Sequence, residues 1–447
     1  MGKVAGALAR LFERIVPDPF LFAVVLTIAT AALAAIFAPN HSAVEILAAW
    51  YGGIFDILTF AFQMILILVT GYALANSMPV RRVLERIARF ASTPRRAIML
   101  VVFVSSVACW LNWGFGLVVA ALLAREIAKR IPVDFGWLVA GAYTGFLIWA
   151  SGLSSSIALT VATASSKLNF VHQLTGKTIP LSDSIFAPFN VVPVVVLLVA
   201  MPLLYAAMQP PESQSIVADV RRLREEDGPA AAPVNAMPTF ANRLENAWPL
   251  NLIVVLAGAA YLGQLWYAKG FNPDIDTVIF IFLLLGLLFH VRPIAYVGAV
   301  NGAARITGPL ILQYPLYGGI MGIMTGTGLA GVIAKAFIVF STAATLPFWS
   351  YVASVIISFF VPSGGGHWAV QGPFVVPAAM HVHASQAASA MAVAMGEQVA
   401  NMIQPFWALP ILAIAGIGIR RVMGYTVISF VVAFVIFGAS LLLFAAR

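Results

Sequence analysis

The chain has 447 residues, of which 61% are hydrophobic and only 9% are charged; soluble domains average about 45–50% and about 25%. This composition excludes an ordinary soluble enzyme or binding domain. In a soluble protein the formal charge of +8 would indicate nucleic acid binding, but here the basic residues follow a membrane topology. The single cysteine, Cys109, excludes an intrachain disulfide and is interpreted as a small residue packed in a helix.

Apolar runs of about 18–22 residues, long enough to cross a hydrocarbon core of roughly 30 Å, recur along the chain. The first begins at Phe20; it is too long for a signal-peptide core and lacks a small-residue cleavage site, which predicts a membrane span. The sequence predicts about nine transmembrane helices, at residues 20–38, 57–76, 136–164, 186–208, 248–267, 277–290, 307–324, 385–419 and 424–444.

Two further apolar segments, 97–128 and 347–380, are interrupted by glycine-rich tips. Each has two arms of about 15 residues, too short for two full crossings, which predicts re-entrant hairpins. The long spans 136–164 and 385–419 contain polar interruptions near their middles, which predicts two broken helices.

Basic residues accumulate in cytoplasmic loops. With the N-terminus inside the cell, twenty of the 25 Lys and Arg residues fall in predicted cytoplasmic segments. The five on the opposite face are Lys167, Lys177, Lys269, Lys335 and Arg447. We therefore predict a bacterial inner-membrane protein with a cytoplasmic N-terminus and a periplasmic C-terminus. The division supports the predicted helix count, since a wrong count would distribute the basic residues over both faces.

An offset near 250 repeats the order of features along the chain and places the tip at Asn112 on the tip at Ser363. Each half has four spans, an even number, so one extra span between them makes the second half start on the opposite face of the membrane. The second repeat is then inverted, as in many secondary transporters. The predicted units are a first repeat over 1–208, a flexible cytoplasmic linker over 209–246, a connecting transmembrane helix over 247–268 and a second repeat over 269–447.

The interrupted segments are the predicted site, because irregular backbone at membrane depth is tolerated only where protein or a watery cavity satisfies its polar groups. Helix N-termini beyond the hairpin tips favour a carboxylate, whereas carbonyls and polar side chains at the breaks favour a cation such as sodium. Glycine and serine also mediate helix packing in membranes, so a structural role stays open. The four segments are 111–116, 361–368, 151–156 and 401–405.

Glu397 is the only carboxylate predicted deep within a span, and such a group is costly and by default functional. It lies one helical turn before Asn401. We predict that Glu397 carries a proton, coordinates an ion or orders the break; a hydrogen bond to a neighbouring helix end is the structural alternative. His367, at the second tip, could donate to a carboxylate, titrate during transport or cap its helix.

Trp113, Phe115 and Trp368 flank the tips and could enclose a small apolar tail or simply pack. The pair His381 and His383 has no further ligands nearby, which argues against a metal site. No arginine or lysine is predicted deep in a span, so a clamp for a dianion is missing. Neither a Walker loop nor a nucleophile–base pair is present. These patterns favour transport of a small monoanion over an enzyme.

Four segments are long and specific: VPDPFLFAVVLT from Val16, NWGFGLVVAALLAREIAKR from Asn112, VPSGGGHWAVQGPFVVPAA from Val361 and GEQVANMIQPFWALPILAIAGI from Gly396. They resemble the bacterial short-chain fatty acid transporter family, and the resemblance runs from about Pro17 to Tyr425 except in the linker. It implies uptake of acids such as acetoacetate and butyrate, and it leaves the coupling ion, H⁺ or Na⁺, open.

That family is placed in the Ion Transporter superfamily, whose members are typically homodimers with a scaffold domain and an elevator-type transport domain. Tips and breaks hold substrate and sodium in related families. By this resemblance the substrate-binding residues are Asn112, Gly114, Gly116, Ser154, Ser155, Ser363, Gly364, Gly365, Gly366, His367, Asn401 and Gln404. The predicted ion-coupling residues are Glu397, because of its depth within a span, with Ser151 and Asn401.

Two alternatives stay open from the residues alone. One is a transporter of another small organic anion, such as a dicarboxylate or a gluconate-like acid; the other is an anion channel. We expect no cofactor beyond H⁺ or Na⁺. The expected partners are a small carboxylate, the lipid bilayer and a second copy of the chain, with no nucleic acid.

Overall fold

The structure, a computed structural model, describes residues 19–211, 213, 215–226, 239–270, 273–304, 307–358, 361, 363–404, 407–418 and 421–445. The predicted termini, much of the linker and Pro405 therefore lie outside the described residues. Over the described part the chain is helical, with one isolated antiparallel bridge between Asp134 and Val217. The all-helical prediction is confirmed for this part of the chain.

Several helices before the linker start where the sequence carries capping residues. The side chains of Thr93, Asn112, Asp134 and Ser155 each accept an N–H in the first turn of the helix that follows. In order the helices are α1 (Pro19–Phe37), α2 (Ala43–Asp56), α3 (Leu58–Ala75), α4 (Met78–Ala88), α5 (Pro94–Leu111), α6 (Trp113–Ala128), α7 (Phe135–Thr144), the 3-10 helix η1 (Gly145–Ser151), α8 (Ser156–Ala162), α9 (Phe170–Thr175), the 3-10 helix η2 (Leu181–Asp183) and α10 (Pro188–Ala207).

Two short helices lie in the linker region, α11 (Val220–Glu226) and α12 (Phe240–Glu245). The predicted connecting helix follows as α13 (Trp248–Lys269). The remaining helices are α14 (Ile275–His290), α15 (Pro293–Ala304), α16 (Gly308–Gly326), α17 (Leu329–Phe340), α18 (Leu346–Ser358), α19 (Gly364–His381), α20 (Gln386–Ala400), the 3-10 helix η3 (Asn401–Ile403), α21 (Ala408–Ala415) and α22 (Met423–Phe444).

Helix starting positions repeat along the chain with an offset near 250. Helices α2 and α15 begin at residues 43 and 293, α3 and α16 at 58 and 308, α5 and α18 at 94 and 346, and α6 and α19 at 113 and 364. Helix α13 stands between the two series. This correspondence is the one that the sequence offset predicts; the inverted orientation of the second repeat stays a prediction.

Several described helices are long and apolar enough to cross a membrane. By length and composition they are Ala43–Ala75, Pro94–Leu111, Phe135–Ala162, Pro188–Ala207, Trp248–Ala268 and Met423–Phe444. A seventh span results if the bent pair Leu310–Gly326 and Leu329–Ala336, which meet at 78°, counts as one. The described chain thus has the helices of a multi-pass membrane protein, and the predicted count of nine is not confirmed.

Helices α2 and α16 cross at glycines. A Cβ built on Gly53 would lie closer than 3.0 Å to the backbone of Gly318 and Gly322, and one on Gly322 would meet the carbonyl of Ala49 equally closely. Small residues let membrane helices approach to backbone contact. This crossing joins the first half of the chain to the second.

Candidate functional site

The first hairpin tip is capped by its own residues. Asn112 separates α5 from α6, and its Oδ1 accepts the amide N–H of Phe115 at 2.9 Å. The amide of Trp113 donates to Oγ of Ser154 in the first break at 2.9 Å. The amide of Gly116 donates to the carbonyl of Asn112 at 2.8 Å. Most N–H groups at this helix end are therefore already satisfied.

Two predicted binding glycines at this tip have packing roles. A Cβ on Gly114 would lie closer than 3.0 Å to Cα of Leu68, and one on Gly116 would do the same to Cα of Cys109. Nδ2 of Asn112 is buried and has no hydrogen-bond partner among the described residues. Nε1 of Trp113 is the other buried side-chain atom at this tip without such a partner.

The second hairpin tip is arranged differently. The Ser363 side chain makes no capping bond to α19, and its Oγ donates instead to the Tyr314 hydroxyl at 3.1 Å. The first backbone hydrogen bond of α19 joins the N–H of His367 to the carbonyl of Ser363. The amides of residues 364–366 therefore have no hydrogen-bond partner within the helix. Three glycine amides at a helix N-terminus favour an anion.

Aromatic rings cover the glycines of this tip. A Cβ on residues 364, 365 and 366 would lie closer than 3.0 Å to the rings of Trp149, Phe60 and Tyr317, respectively. Only glycine fits these three positions without a shift. The rings come from η1, which precedes the first break, and from α3 and α16. Three separate parts of the chain therefore converge on the second tip.

The two helix breaks are joined to each other by hydrogen bonds. Nε2 of Gln398 donates to Oγ of Ser151 at 2.8 Å, and Oε1 of Gln398 accepts the amide of Ser151 at 3.0 Å. Trp149 Nε1 donates to Oδ1 of Asn401 at 2.9 Å, and the Tyr143 hydroxyl donates to the carbonyl of Asn401 at 2.7 Å. The breaks therefore form one buried polar cluster. Sequence reasoning missed Gln398, although it directly follows Glu397 in the chain.

Gln398→Leu is expected to destabilise the protein. Gln398 and Ser151 are both 0% exposed, and removal of the amide leaves the Ser151 N–H and hydroxyl without these partners, at a cost of about 1–3 kcal/mol for a buried polar group. Thermal unfolding of the purified protein in detergent should show a lower Tm. Gln386→Leu at the start of α20, where the residue is half-buried, is the control. An unchanged Tm for Gln398→Leu would show that the Gln398–Ser151 hydrogen bonds do not stabilise the protein.

Three other predicted residues use their side chains in structural bonds. Ser155 caps α8 by accepting the amide of Ala158 at 3.3 Å. Gln404 Nε2 donates to the carbonyl of Ser358 and, at 3.0 Å, to its hydroxyl. Asn401 Nδ2 donates to Gln404 Oε1 at 3.3 Å. These residues shape the breaks in the observed conformation.

Glu397 and His367 stand out because they are fully buried and carry polar atoms without partners. Both carboxylate oxygens of Glu397 and Nδ1 of His367 lack a hydrogen-bond partner among the described residues. Buried polar atoms are nearly always paired, and an isolated buried carboxylate is costly. Tyr314, which bonds Ser363, lies within electrostatic range of Glu397. The Glu397 side chain is not hydrogen-bonded to Ser151 or Asn401. The bond from the Asn401 amide to the carbonyl of Glu397 is part of the helix end, so side-chain bonds do not join the three predicted ion-coupling residues.

The three aromatic residues near the tips lie in different environments. Trp113 packs edge-on against Trp149 and Trp407, with ring centroids 6.1 and 5.3 Å away. Phe115 lines an apolar cavity of about 890 Å³ between the first tip, the first break and α14. Trp368 Nε1 donates to the carbonyl of Leu168 at 2.8 Å, which is a structural bond.

The helical architecture is found in two solved transporters. The YdaH transporter of Alcanivorax borkumensis aligns with a TM-score of 0.63 at 18% identity, covering 95% of this chain and 98% of its own. MtrF of Neisseria gonorrhoeae, described as illuminating a class of antimetabolite efflux pumps, aligns with a TM-score of 0.57 at 17% identity, covering 96% of each chain. At these identities the likeness shows the fold. The protein has the fold of a multi-pass membrane transporter.

Sequence comparison narrows this class. The sequence model described as short chain fatty acid transporter matches residues 1–444. A relative from Escherichia coli is 43% identical over 446 residues, covering 99% of this chain and all of its own, and one from Haemophilus influenzae is 37% identical over 431 residues, covering 95% and 96%. Both are assigned by name as short-chain fatty acid transporters. The chain belongs to the short-chain fatty acid transporter family, and it is a transporter rather than an enzyme.

Proposed function

We propose that the protein imports short-chain fatty acid monoanions, such as acetoacetate and butyrate, across the bacterial inner membrane together with H⁺ or Na⁺. Family membership and the names of the relatives support the substrate class. The observation that carries the mechanism is the second tip, where three glycine amides precede the helix ladder and unpartnered atoms of Glu397 and His367 are buried.

In this proposal the substrate carboxylate binds the glycine amides of the second tip, with His367 as a further donor. Ser363 becomes a donor to the acid when its hydroxyl turns away from Tyr314. Nδ2 of Asn112 is a donor from the first tip, and Glu397 holds the coupling cation. Among the described residues the buried Arg, Lys, His, Asp and Glu side chains are Arg125, His367 and Glu397. Arg125, near the end of α6, donates to the carbonyl of Leu223 in the linker region. Among the described residues the tips therefore have no buried Arg or Lys that could pair with a second carboxylate, which favours a monoanion over a dicarboxylate.

Elevator-type alternating access is part of the same proposal. The bonds between the breaks and the contacts of both tips with the first break support movement of hairpins 97–128 and 347–380 and broken helices 136–164 and 385–419 as one transport domain. The other spans form the scaffold, the repeats are inverted and two copies form a dimer. The N-terminus is cytoplasmic and the C-terminus periplasmic.

Counterflow in proteoliposomes tests the carrier mechanism. Vesicles loaded with unlabelled butyrate should transiently accumulate external labelled butyrate, because a carrier exchanges one acid for the other. Protein-free vesicles correct for diffusion of the undissociated acid. Passive equilibration without an overshoot would indicate a channel, and exchange of gluconate or succinate in place of butyrate would identify a different anion transporter.

Ser363→Ala is expected to weaken substrate affinity while the protein still folds. Loss of one hydrogen bond to a charged ligand costs about 1.5–3 kcal/mol, or roughly 10- to 150-fold in affinity. Asn112→Ala should weaken transport too, but it also removes the cap of α6 and should lower the Tm. The KM for butyrate uptake and the Tm of each variant are the measurements. Wild-type uptake by both variants would place the binding site elsewhere.

A further inference from the structure

Helix α4 and the residue after it carry a stripe of three arginines, Arg82, Arg86 and Arg89. Their i, i+4 and i+7 spacing places the three side chains along one side of a helix. All three are exposed, and no hydrogen bond or ion pair joins their guanidinium groups to another described residue. The stripe therefore offers unneutralised positive charge on an amphipathic helix, a type of helix that lies in the membrane interface.

The nearest acidic side chain does not neutralise the stripe. Glu85 is the single acidic residue in segment 78–96, which contains six arginines. It lines a small pocket between α4 and α6 together with Arg81, Arg125 and Lys129, and it forms no ion pair with the stripe. The excess positive charge on this side of α4 favours an anionic ligand.

An apolar groove of about 460 Å³ extends from α4 to the first hairpin tip. One wall is the apolar face of α4, which includes Val83 and Ile87, and another is α5 between Phe103 and Leu111. Phe115 of α6 and one phenylalanine of α14 complete the lining. Because every lining side chain is apolar, the groove favours a hydrocarbon chain over a polar ligand.

The groove lies beside a membrane span and opens towards lipid. Helix α5 is long and apolar enough to cross a bilayer, and its groove-lining residues Phe103, Val107 and Leu111 are 49%, 37% and 39% exposed. From Phe103 to Leu111 the helix rises by about 12 Å, close to half of a hydrocarbon core of roughly 30 Å. A lipid acyl chain can therefore enter the groove sideways from one leaflet, whereas a soluble acidic protein cannot reach it.

We propose that the groove and the arginine stripe together form a binding site for an anionic phospholipid. One acyl chain occupies the groove, and the phosphate lies against Arg82, Arg86 and Arg89. The same helix supplies an apolar wall for the chain and the positive charge for the headgroup, which is the arrangement of basic amphipathic helices that bind anionic lipids. A zwitterionic lipid fills the groove equally well but gains less from the stripe, because its own ammonium group offsets the phosphate charge.

The bound lipid contacts two parts of the molecule. The groove is lined by the first hairpin, which the proposed elevator mechanism assigns to the transport domain, and by Phe289 of α14, which it assigns to the scaffold. Occupancy of the groove therefore stabilises the conformation described here. This effect does not depend on which acid the protein transports.

Thermal unfolding of delipidated protein in detergent, titrated with phosphatidylglycerol or with phosphatidylcholine of the same acyl chains, tests the site. Phosphatidylglycerol should raise the Tm at a concentration at least about tenfold lower than phosphatidylcholine requires. The triple variant Arg82→Gln/Arg86→Gln/Arg89→Gln should need about ten- to a hundredfold more phosphatidylglycerol and respond to phosphatidylcholine as the wild type does. Val107→Trp, which fills the groove, should need more of either lipid. Glycerol 3-phosphate, which carries the phosphate without acyl chains, should not raise the Tm.

Two matched controls separate these effects from general changes in charge and bulk. The first changes three exposed arginines of α11 and α12 to glutamine together, Arg221, Arg224 and Arg243. The second is Val195→Trp on α10, at a position that is 53% exposed and outside the groove. If Val107→Trp does not fold, Val83→Trp on the α4 wall replaces it.

The titrations give clear grounds for rejecting the lipid site. Equal requirements for the two lipids in the wild type, or an unchanged phosphatidylglycerol titration in the triple arginine variant, would overturn it. A wild-type response of the groove variant, or a rise in Tm with glycerol 3-phosphate alone, would overturn it as well. Because these measurements contain no transported acid, their failure leaves the proposed function standing.

Discussion

Glu397→Gln is expected to abolish gradient-driven accumulation of substrate while exchange of labelled for unlabelled acid continues. Glutamine matches the shape of the side chain but can neither ionise nor bind a coupling cation by charge. Exchange returns the carrier with an acid bound and does not require Glu397 to release its cation, so exchange should persist. Net uptake requires Glu397 to release the coupling cation in every cycle, so net uptake should fall to the level of protein-free vesicles.

The measurement compares net uptake and counterflow in the same vesicles. Glu245→Gln, at an exposed position that ends α12, controls for the loss of a carboxylate as such. Normal gradient-driven uptake by Glu397→Gln, with unchanged dependence on pH and on the driving ion, would leave Glu397 as a helix-packing residue.

Gly322→Val is expected to reduce the yield of folded protein strongly. A side chain at this position would run into the backbone of α2 at Ala49 and Gly53, and backbone atoms cannot move aside as a side-chain end can. Overpacking typically costs about 1–3 kcal/mol and occasionally more, and here the only relief is separation of α2 from α16. The expected result is a strongly lowered Tm and little monodisperse protein in detergent.

Gly298→Val on α15 is the matched control, because no heavy atom lies within 4 Å of a Cβ built there. Gly322→Ala should lie between the two variants in Tm. Equal stability of Gly322→Val and Gly298→Val would show that the α2–α16 crossing tolerates wider spacing, and the close glycine contact would lose its structural importance.

Hairpin tips and breaks were predictable from the sequence because their signals are local. Glycines and polar residues that interrupt an apolar run mark the positions where α5 ends at Asn112 and where α19 begins after Ser363. For the same reason the predicted break at 151–156 falls between η1 and α8, and the predicted break at 401–405 begins with η3. The offset near 250 was readable because it needs only the order of these interruptions.

Helices α2, α4, α15 and α17 were missed because the prediction relied on long apolar runs. Helix α4 has Pro79 in its first turn and includes Arg81 and Arg82, which depress hydropathy without preventing a helix. Helix α2 carries Glu45 in a capping box with Ser42, so the apolar run was taken to start only at Ile57. An amphipathic pattern indicates α4 most clearly and α2 and α17 less clearly. Helix α15 has no distinct apolar face, so this pattern would not have revealed it.

The difference between the two tips could not be read from the sequence. Asparagine and serine are both good N-caps, yet Asn112 caps its helix while Ser363 bonds Tyr314, a residue 49 positions away in the chain. The same applies to the Gln398–Ser151 pair, which joins residues 247 positions apart. Long-range partners decide which polar groups remain for a ligand, and a single sequence does not specify those partners.

Uptake of labelled acetoacetate, butyrate and succinate into proteoliposomes, under separate proton and sodium gradients, tests the central claim most directly. Protein-free vesicles again correct for diffusion of undissociated acid. The account predicts that acetoacetate and butyrate accumulate above the external concentration when one of the two gradients is imposed, and that succinate does not. Accumulation of succinate in preference to the monocarboxylates, or equilibration of all three acids without accumulation under either gradient, would contradict it.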